Sequence, residues 1–337
     1  MKEIGKIVAG ICAFFFVLSG VLTLLLFNIE QKAFSSETYK QSFKELGLYA
    51  QTPSLIANLI TDPANGSMPA MMSLLNKNEL AFVISSILPP AEIETMTNNT
   101  LDSTFDFING KSDSVSISLL PFKQSMAGEG GMSAFLQILQ AQPACTPEQI
   151  IQMGLGLLSA NTDLKICNPP QEVLQLVMPV IQEQIQQISQ SIPETLTLVS
   201  SDQVEASNFR TRLDRIRTGI KLSFLLPLFL LIAIILFAVR SLQDWLKWWG
   251  IPFLATGIFT LILAFIGVPL VRFVIKNIFL ENKLQAGISE IVQNVIDSVA
   301  RQILVPVAIE GAFLAFIGAG MVAGFWVYNK MVKSTKP

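Results

Sequence analysis

The chain has 337 residues, 51% hydrophobic and only 14% charged, with a formal net charge of −2 and a mean hydropathy of +0.53. A soluble domain carries about a quarter charged residues, so an ordinary soluble globule is excluded. Histidine is absent, which removes Ser-His-Asp and Cys-His catalysis, histidine metal sites and histidine pH switching together.

The apolar excess lies in four stretches, Ile7–Phe27, Leu222–Val239, Trp248–Val271 and Leu304–Tyr328. Each is long enough to cross roughly 30 Å of hydrocarbon at about 1.5 Å per residue. The expected fold class is therefore mainly α, with four transmembrane helices and a mostly helical polar domain. The first stretch follows Lys2 and Lys6 and runs for 21 residues. That exceeds the about 7–15 of a signal-peptide core and no small-x-small cleavage site follows it, so an uncleaved anchor over residues 1–27 is expected.

Residues 28–209 form the polar domain. Capping residues open a helix over Ser35–Leu48 that stops at Gly47. Thr52–Pro53 reads as an N-cap with Pro at the first helical position, opening a helix to Ile60. Residues 62–69 read as a loop, Asn78–Leu88 as a short helix, and Pro90–Ile108 as a longer one ended by Gly110. Ser114–Leu120 and Thr195–Val199 alternate apolar and hydroxyl residues, the period of a half-buried strand. They are candidates for a short two-stranded ribbon, although pattern alone does not pair them. Gly128-Glu-Gly-Gly131 lacks the Gly-Lys-Ser/Thr of a phosphate loop and reads as a flexible linker. Thr146, Pro147 and Gln149 have capping-box spacing, for a helix to about Ser159. Pro169–Pro170 opens a helix over Gln171–Ser191 with one apolar and one Gln-rich face.

Cys145 and Cys167 are the only cysteines of this domain. In an exported domain an even pair implies a disulfide, with two free buried thiols as the alternative. From Ser201 the pattern turns helical. Arg210, Asp214, Arg217 and Lys221 share a face at i, i+4, i+7 and i+11. A stalk continuous with the second membrane helix over residues 210–240 follows, with Gly219 as its weak point. The basic stalk base (Arg210, Arg212, Arg215, Arg217, Lys221) can hold lipid headgroups or pair with the domain, which has 18 Asp and Glu against 7 Lys and Arg.

Residues 241–337 hold the third and fourth membrane helices, with an amphipathic segment over 273–302 between them. Trp245, Trp248 and Trp249 read as an interfacial anchor. Glu310 is the one ionisable residue in the fourth stretch. Counting back from Tyr328 places it at the membrane boundary, within reach of headgroups, water or Arg301. Gly311, Ala315, Ala319 and Ala323, with Gly320 and Gly324, form rows of small residues suited to close helix packing.

The short segments carry Lys2, Lys6, Arg240, Lys247, Lys330, Lys333 and Lys336. Basic short loops mark the cytoplasm, so a multi-pass plasma-membrane protein is expected, with cytoplasmic termini and residues 28–209 extracytoplasmic. Glu92, Glu94, Asp102 and Asp106 lie on one helix and read as a solvated acidic face. No pattern for a catalytic, metal or cofactor site is found, and no nucleic-acid partner is expected.

The chain order of anchor helix, large outer domain, stalk-like second helix, tight turn and two last helices resembles the permease-type subunits of mechanotransmitting ABC transporters. The pieces Tyr39-Lys40, Leu88-Pro-Pro90, Ala144-Cys-Thr146 and Cys167-Asn-Pro-Pro170 look like those of uncharacterised bacterial four-helix membrane proteins. The expected function is non-enzymatic, in which the outer domain binds an envelope partner or ligand and the bilayer holds the rest. Two alternatives remain: a transport-related subunit coupling the outer domain to a cytoplasmic partner, and a membrane enzyme of unknown type.

Overall fold

The computed structural model describes residues 2–61, 75–152, 167–200, 204–275, 277 and 286–334. The chain is mainly α, and it divides into two compact units: Met1–Ser42 with Val204–Pro337, and Phe43–Gln203.

The first unit is built on α1 (Lys2–Ala33), α9 (Val204–Leu222), α10 (Leu225–Ala238), α11 (Leu242–Ile275) and α12 (Ala286–Ser334), with the start of α2 (Ser36–Glu45). Four helical stretches are long and apolar enough to cross a membrane: Ile4–Ala33, Asn208–Ala238, Leu242–Ile275 and Ile288–Met331. Their outward faces are bare hydrocarbon, as with Phe14, Leu18, Phe229, Leu236, Phe265 and Phe316. Such a surface is stable only against lipid.

Neighbouring helices alternate in direction. At the end where α1 begins, an added Cβ on Gly5 would lie 2.9 Å from the Phe237 carbonyl of α10. At the opposite end, from which the chain leaves for the second unit, the Thr23 hydroxyl donates to the Ser223 carbonyl at 3.3 Å. We call the latter the exit end and the former the turn end, after the Val239–Arg240 turn. The longest contact joins α11 to α12, where an added Cβ on Gly257 would lie 2.6 Å from Gly311 O.

The stalk and the second membrane helix form one helical stretch, Asn208–Ala238, interrupted by a two-residue turn in which Phe224 keeps helical φ and ψ. The break is at Ser223–Phe224, not at Gly219. Pro227 explains it, because its ring clashes with the carbonyl four residues back and it offers that carbonyl no N–H. That carbonyl is Ser223 O, which takes the Thr23 hydroxyl and the Leu226 N–H instead. The amphipathic segment from Ala286 onward and the fourth span, in contrast, form one helix of 49 residues running through Pro306.

The second unit contains α3 (Leu48–Thr61), α4 (Lys77–Ile87), α5 (Pro90–Ile108), β1 (Ser114–Ser118), α6 (Leu120–Ala127), α7 (Glu129–Gln140), α8 (Gln171–Ser191) and β2 (Thr195–Ser200). Its core gathers Ala57, Leu75, Leu80, Val83, Ala134 and Ile138. Asn76 and Glu79 close a capping box at the start of α4. α3 begins at Leu48, earlier than Thr52, with Pro53 inside it; Thr52 donates to Leu48 O at 2.8 Å instead of capping. Gly47 and Gly110, both at positive φ, follow α2 and α5. β1 and β2 pair antiparallel with an irregularity between Val115 and Ser116.

Gly128-Glu-Gly-Gly131 is no linker: Glu129 opens α7 at once. An added Cβ on Gly130 would lie 2.6 Å from Ser125 Oγ, and one on Gly131 would lie 3.1 Å from Ile185 Cγ2. These glycines serve close packing. The expected loop over 62–69 and the helix beyond Gln152 lie outside the described residues. Thr146 and Gln149 do form their reciprocal capping bonds, at 2.9 and 3.3 Å.

Candidate functional site

Most of the long-range polar side-chain contacts within the first unit lie toward the exit end. Glu30 of α1 accepts from Arg217 at 2.9 Å and forms an ion pair with Lys221 at 3.6 Å, and the Arg217 guanidinium lies 5.0 Å from the Phe34 ring centre. Of the five basic residues of the stalk, Arg217 and Lys221 therefore face α1. Arg212 and Arg215 are exposed on the other side, and Arg210 is half-buried. Gln302 of α12 donates to Thr38 O at 3.2 Å and to Ser42 Oγ at 2.9 Å, tying the first turns of α2 to the bundle. Arg272 of α11 pairs with Asp297 of α12.

Glu310 does not pair with Arg301. It accepts from Asn28 Nδ2 at 2.8 Å, and the same amide group donates to Leu24 O at 2.9 Å. Asn28 is only 2% exposed. Neighbouring Gly311 packs on Thr260 of α11, and the bond to Asn28 puts Glu310 beside the end of the apolar run of α1. The Glu310 side chain then leans toward the N-terminus of its helix, as helical side chains do. It meets the first polar residue beyond the apolar run of α1.

Beside these groups lies an apolar cavity of about 340 Å³, lined by Leu25, Ile29, Tyr39, Leu263, Gly267 and Leu304 among others. It shares Leu25 and Leu263 with a groove of about 730 Å³ that follows α1 down to Phe14. Water finds no partners on such walls; a hydrocarbon chain is the chemistry they accept. The Tyr39 hydroxyl at the lip donates to Ala33 O at 3.0 Å, and burial pushes its pKa up.

The expected small-residue row is partly right. Gly311 and Ala315 face Gly257 on α11, but an added Cβ on Gly320 would meet nothing within 4 Å, and on Gly324 only Leu246 Cδ1 at 3.9 Å. Ala319 and Ala323 are exposed. Gly318, outside the expected row, packs on Leu254, whose Cα an added Cβ would approach to 2.7 Å. Trp245, Trp249 and Phe253 stack along α11 with ring centres 5.4 and 5.7 Å apart.

In the second unit Cys145 and Cys167 form a disulfide, with Cα atoms 5.0 Å apart. The flanking strands bond through Cys145 N to Asn168 O and Asn168 N to Pro143 O. Cys12 is free. Asp106 pairs with Lys111 at 3.5 Å and Glu94 with Lys44 at 3.9 Å. Among the described residues no group of three or more His, Cys, Asp or Glu is placed to hold a metal. Tyr49 donates to Asn98 Oδ1 at 3.0 Å; burial, and then the charge of Glu94, raise its pKa.

Exposed apolar side chains of this unit include Phe82 of α4, Leu120 of α6 and Ile151, and a further group on α8 and β2. Leu176 is 79% exposed and Ile188 52%, and Leu196 and Leu198 are 47% each. The sheet has two strands, so among the described residues β2 has an unpaired edge next to those leucines. No family model matches the chain, and neither a curated protein nor a solved structure matches it.

Proposed function

We propose that this is a non-enzymatic integral membrane protein of the cell envelope, with cytoplasmic termini, whose extracytoplasmic domain (residues 28–209) binds a protein partner. The observation that supports this reading is the β2 edge. Leu196 and Leu198 alternate along a strand whose second edge pairs with no other strand among the described residues. An incoming strand can add to such an edge, and the side chains supply selectivity. A soluble protein that left this edge bare would risk aggregation, so a partner that covers it accounts for its retention.

The test is site-specific photocrosslinking in intact cells from Leu198, with the exposed polar Gln182 of α8 as control. A single discrete adduct from Leu198, lost in L196S/L198S while the protein stays in the membrane, is the expected result. Identical adduct patterns from both positions, or an adduct indifferent to L196S/L198S, would overturn the reading.

A further inference from the structure

The five basic residues at the base of α9 split by direction, and the split assigns a second binding surface. At about 100° per residue, Arg212, Arg215, Gly219 and Leu222 share one face of α9, opposite Arg217. Arg217 and Lys221 are held by Glu30. Arg212 and Arg215 are exposed and, among the described residues, have no ion-pair partner. Around them Phe209, Ile216 and Leu222 are 55%, 56% and 54% exposed.

Height follows from the contact between Thr23 and Ser223. The apolar run of α1 ends at Phe27, four residues or about 6 Å above Thr23. Arg215 is eight residues above Ser223, about 12 Å, and Arg212 about 16 Å. Their backbones therefore stand about 6 and 10 Å beyond the end of that apolar run. The polar layer of a bilayer extends about 5–8 Å past its hydrocarbon on each side. Arginine side chains lay their methylenes on apolar surface and extend the guanidinium to the phosphate level.

We propose that this face of α9 binds the phosphate of anionic bilayer lipids, with Arg215 and Arg212 as the ligands and Ile216 and Leu222 resting on the adjoining acyl region. Charge complementarity selects the occupant: two guanidiniums with no ion-pair partner among the described residues, seated at headgroup height directly above an apolar helix, match a lipid phosphate. Binding here holds the end of α9 at the bilayer, on the far side of the Ser223–Phe224 break from α10. This surface is independent of the β2 edge and does not rest on the partner reading.

The test uses the full chain extracted into micelles containing equal amounts of phosphatidylglycerol and phosphatidylcholine, with retained lipids counted by native mass spectrometry. Each such cation is worth about fivefold near an anionic surface, so R212Q/R215Q should lose up to ~30-fold of the preference for phosphatidylglycerol. R212K/R215K should keep most of it. Millimolar inorganic phosphate should not displace the lipid. Equal retention of both lipids by the unmodified protein, a preference untouched by R212Q/R215Q, or displacement by inorganic phosphate would each overturn the proposal.

Discussion

Replacing Gly257 by alanine should separate α11 from α12. The added Cβ would lie 2.6 Å from Gly311 O and 2.7 Å from Ala315 Cα, both backbone atoms. No side-chain rotation relieves such contacts, so one helix has to move. Restoring ordinary carbon contacts of about 3.5 Å needs a displacement of roughly 1 Å, and a gap of that size forfeits a quarter to a half of the dispersion attraction of the atoms it parts. Added to the about 1–3 kcal/mol typical of an overpacked site, G257A should lose at least about 2 kcal/mol. G311A meets the Thr260 side chain at 2.9 Å, which can rotate, and should lose less. G320A adds a methyl where nothing lies within 4 Å and should be neutral or slightly stabilising, since alanine favours helix by up to about 1 kcal/mol over glycine. Unfolding in mixed micelles, followed by the fluorescence of Trp245, Trp248 and Trp249 on α11, measures all three. The reasoning fails if G257A unfolds with the unmodified protein, or if G320A is as damaging as G257A.

Three further perturbations test the polar groups and the staple. N28L leaves Glu310 without its amide donor and should cost about 1–3 kcal/mol; E310Q keeps an acceptor for Asn28 Nδ2, drops the charge, and should be tolerated, and the opposite ranking in the same unfolding assay would refute the pairing. C145S/C167S opens a loop spanning 22 positions and should lower the stability of the second unit by ~3 kcal/mol, read as earlier proteolysis of that unit. Burial raises the Tyr39 pKa, so the folded state holds that proton more tightly than the unfolded chain. The stability involved is fully present below about pH 10, the unfolded value, and is lost as pH climbs through the folded value. Y39F should therefore behave alike at neutral pH apart from the lost bond to Ala33 O, and should lose less stability on going to strongly alkaline pH; an identical alkaline decline in both proteins would refute it.

Properties carried by one helix were legible in the sequence, and properties set between helices were not. The four spans, the Cys145–Cys167 pair and both strands follow from local composition or period, and each is present in the structure. Even the stalk break had a local signal, because Pro227 disrupts the helix at Ser223, four residues upstream, and not at Gly219.

Register between helices leaves no such trace. A row of small residues at every fourth position drifts about 40° per step around a helix, so Gly311–Ala315–Ala319–Ala323 winds off the contact after two steps. The real seam alternates steps of four and three, through Gly311, Ala315 and Gly318. Asn28 and Glu310 stand 282 positions apart, and no pattern in either segment names the other. Their pairing nevertheless gives the one carboxylate of the fourth apolar stretch a donor. A charge in a span is tolerated when a donor waits for it, and the donor is the first polar residue that α1 supplies as it leaves its apolar run. Packing at Gly257 and Gly267 sets the height of α12 against α11, and thereby the height of Glu310. A helix shift of one turn would leave the buried amide and the half-buried carboxylate without each other. Close packing in the seam and the polar pair at the exit end are thus two readings of one register, and G257A should weaken the Asn28–Glu310 bond as well as the seam.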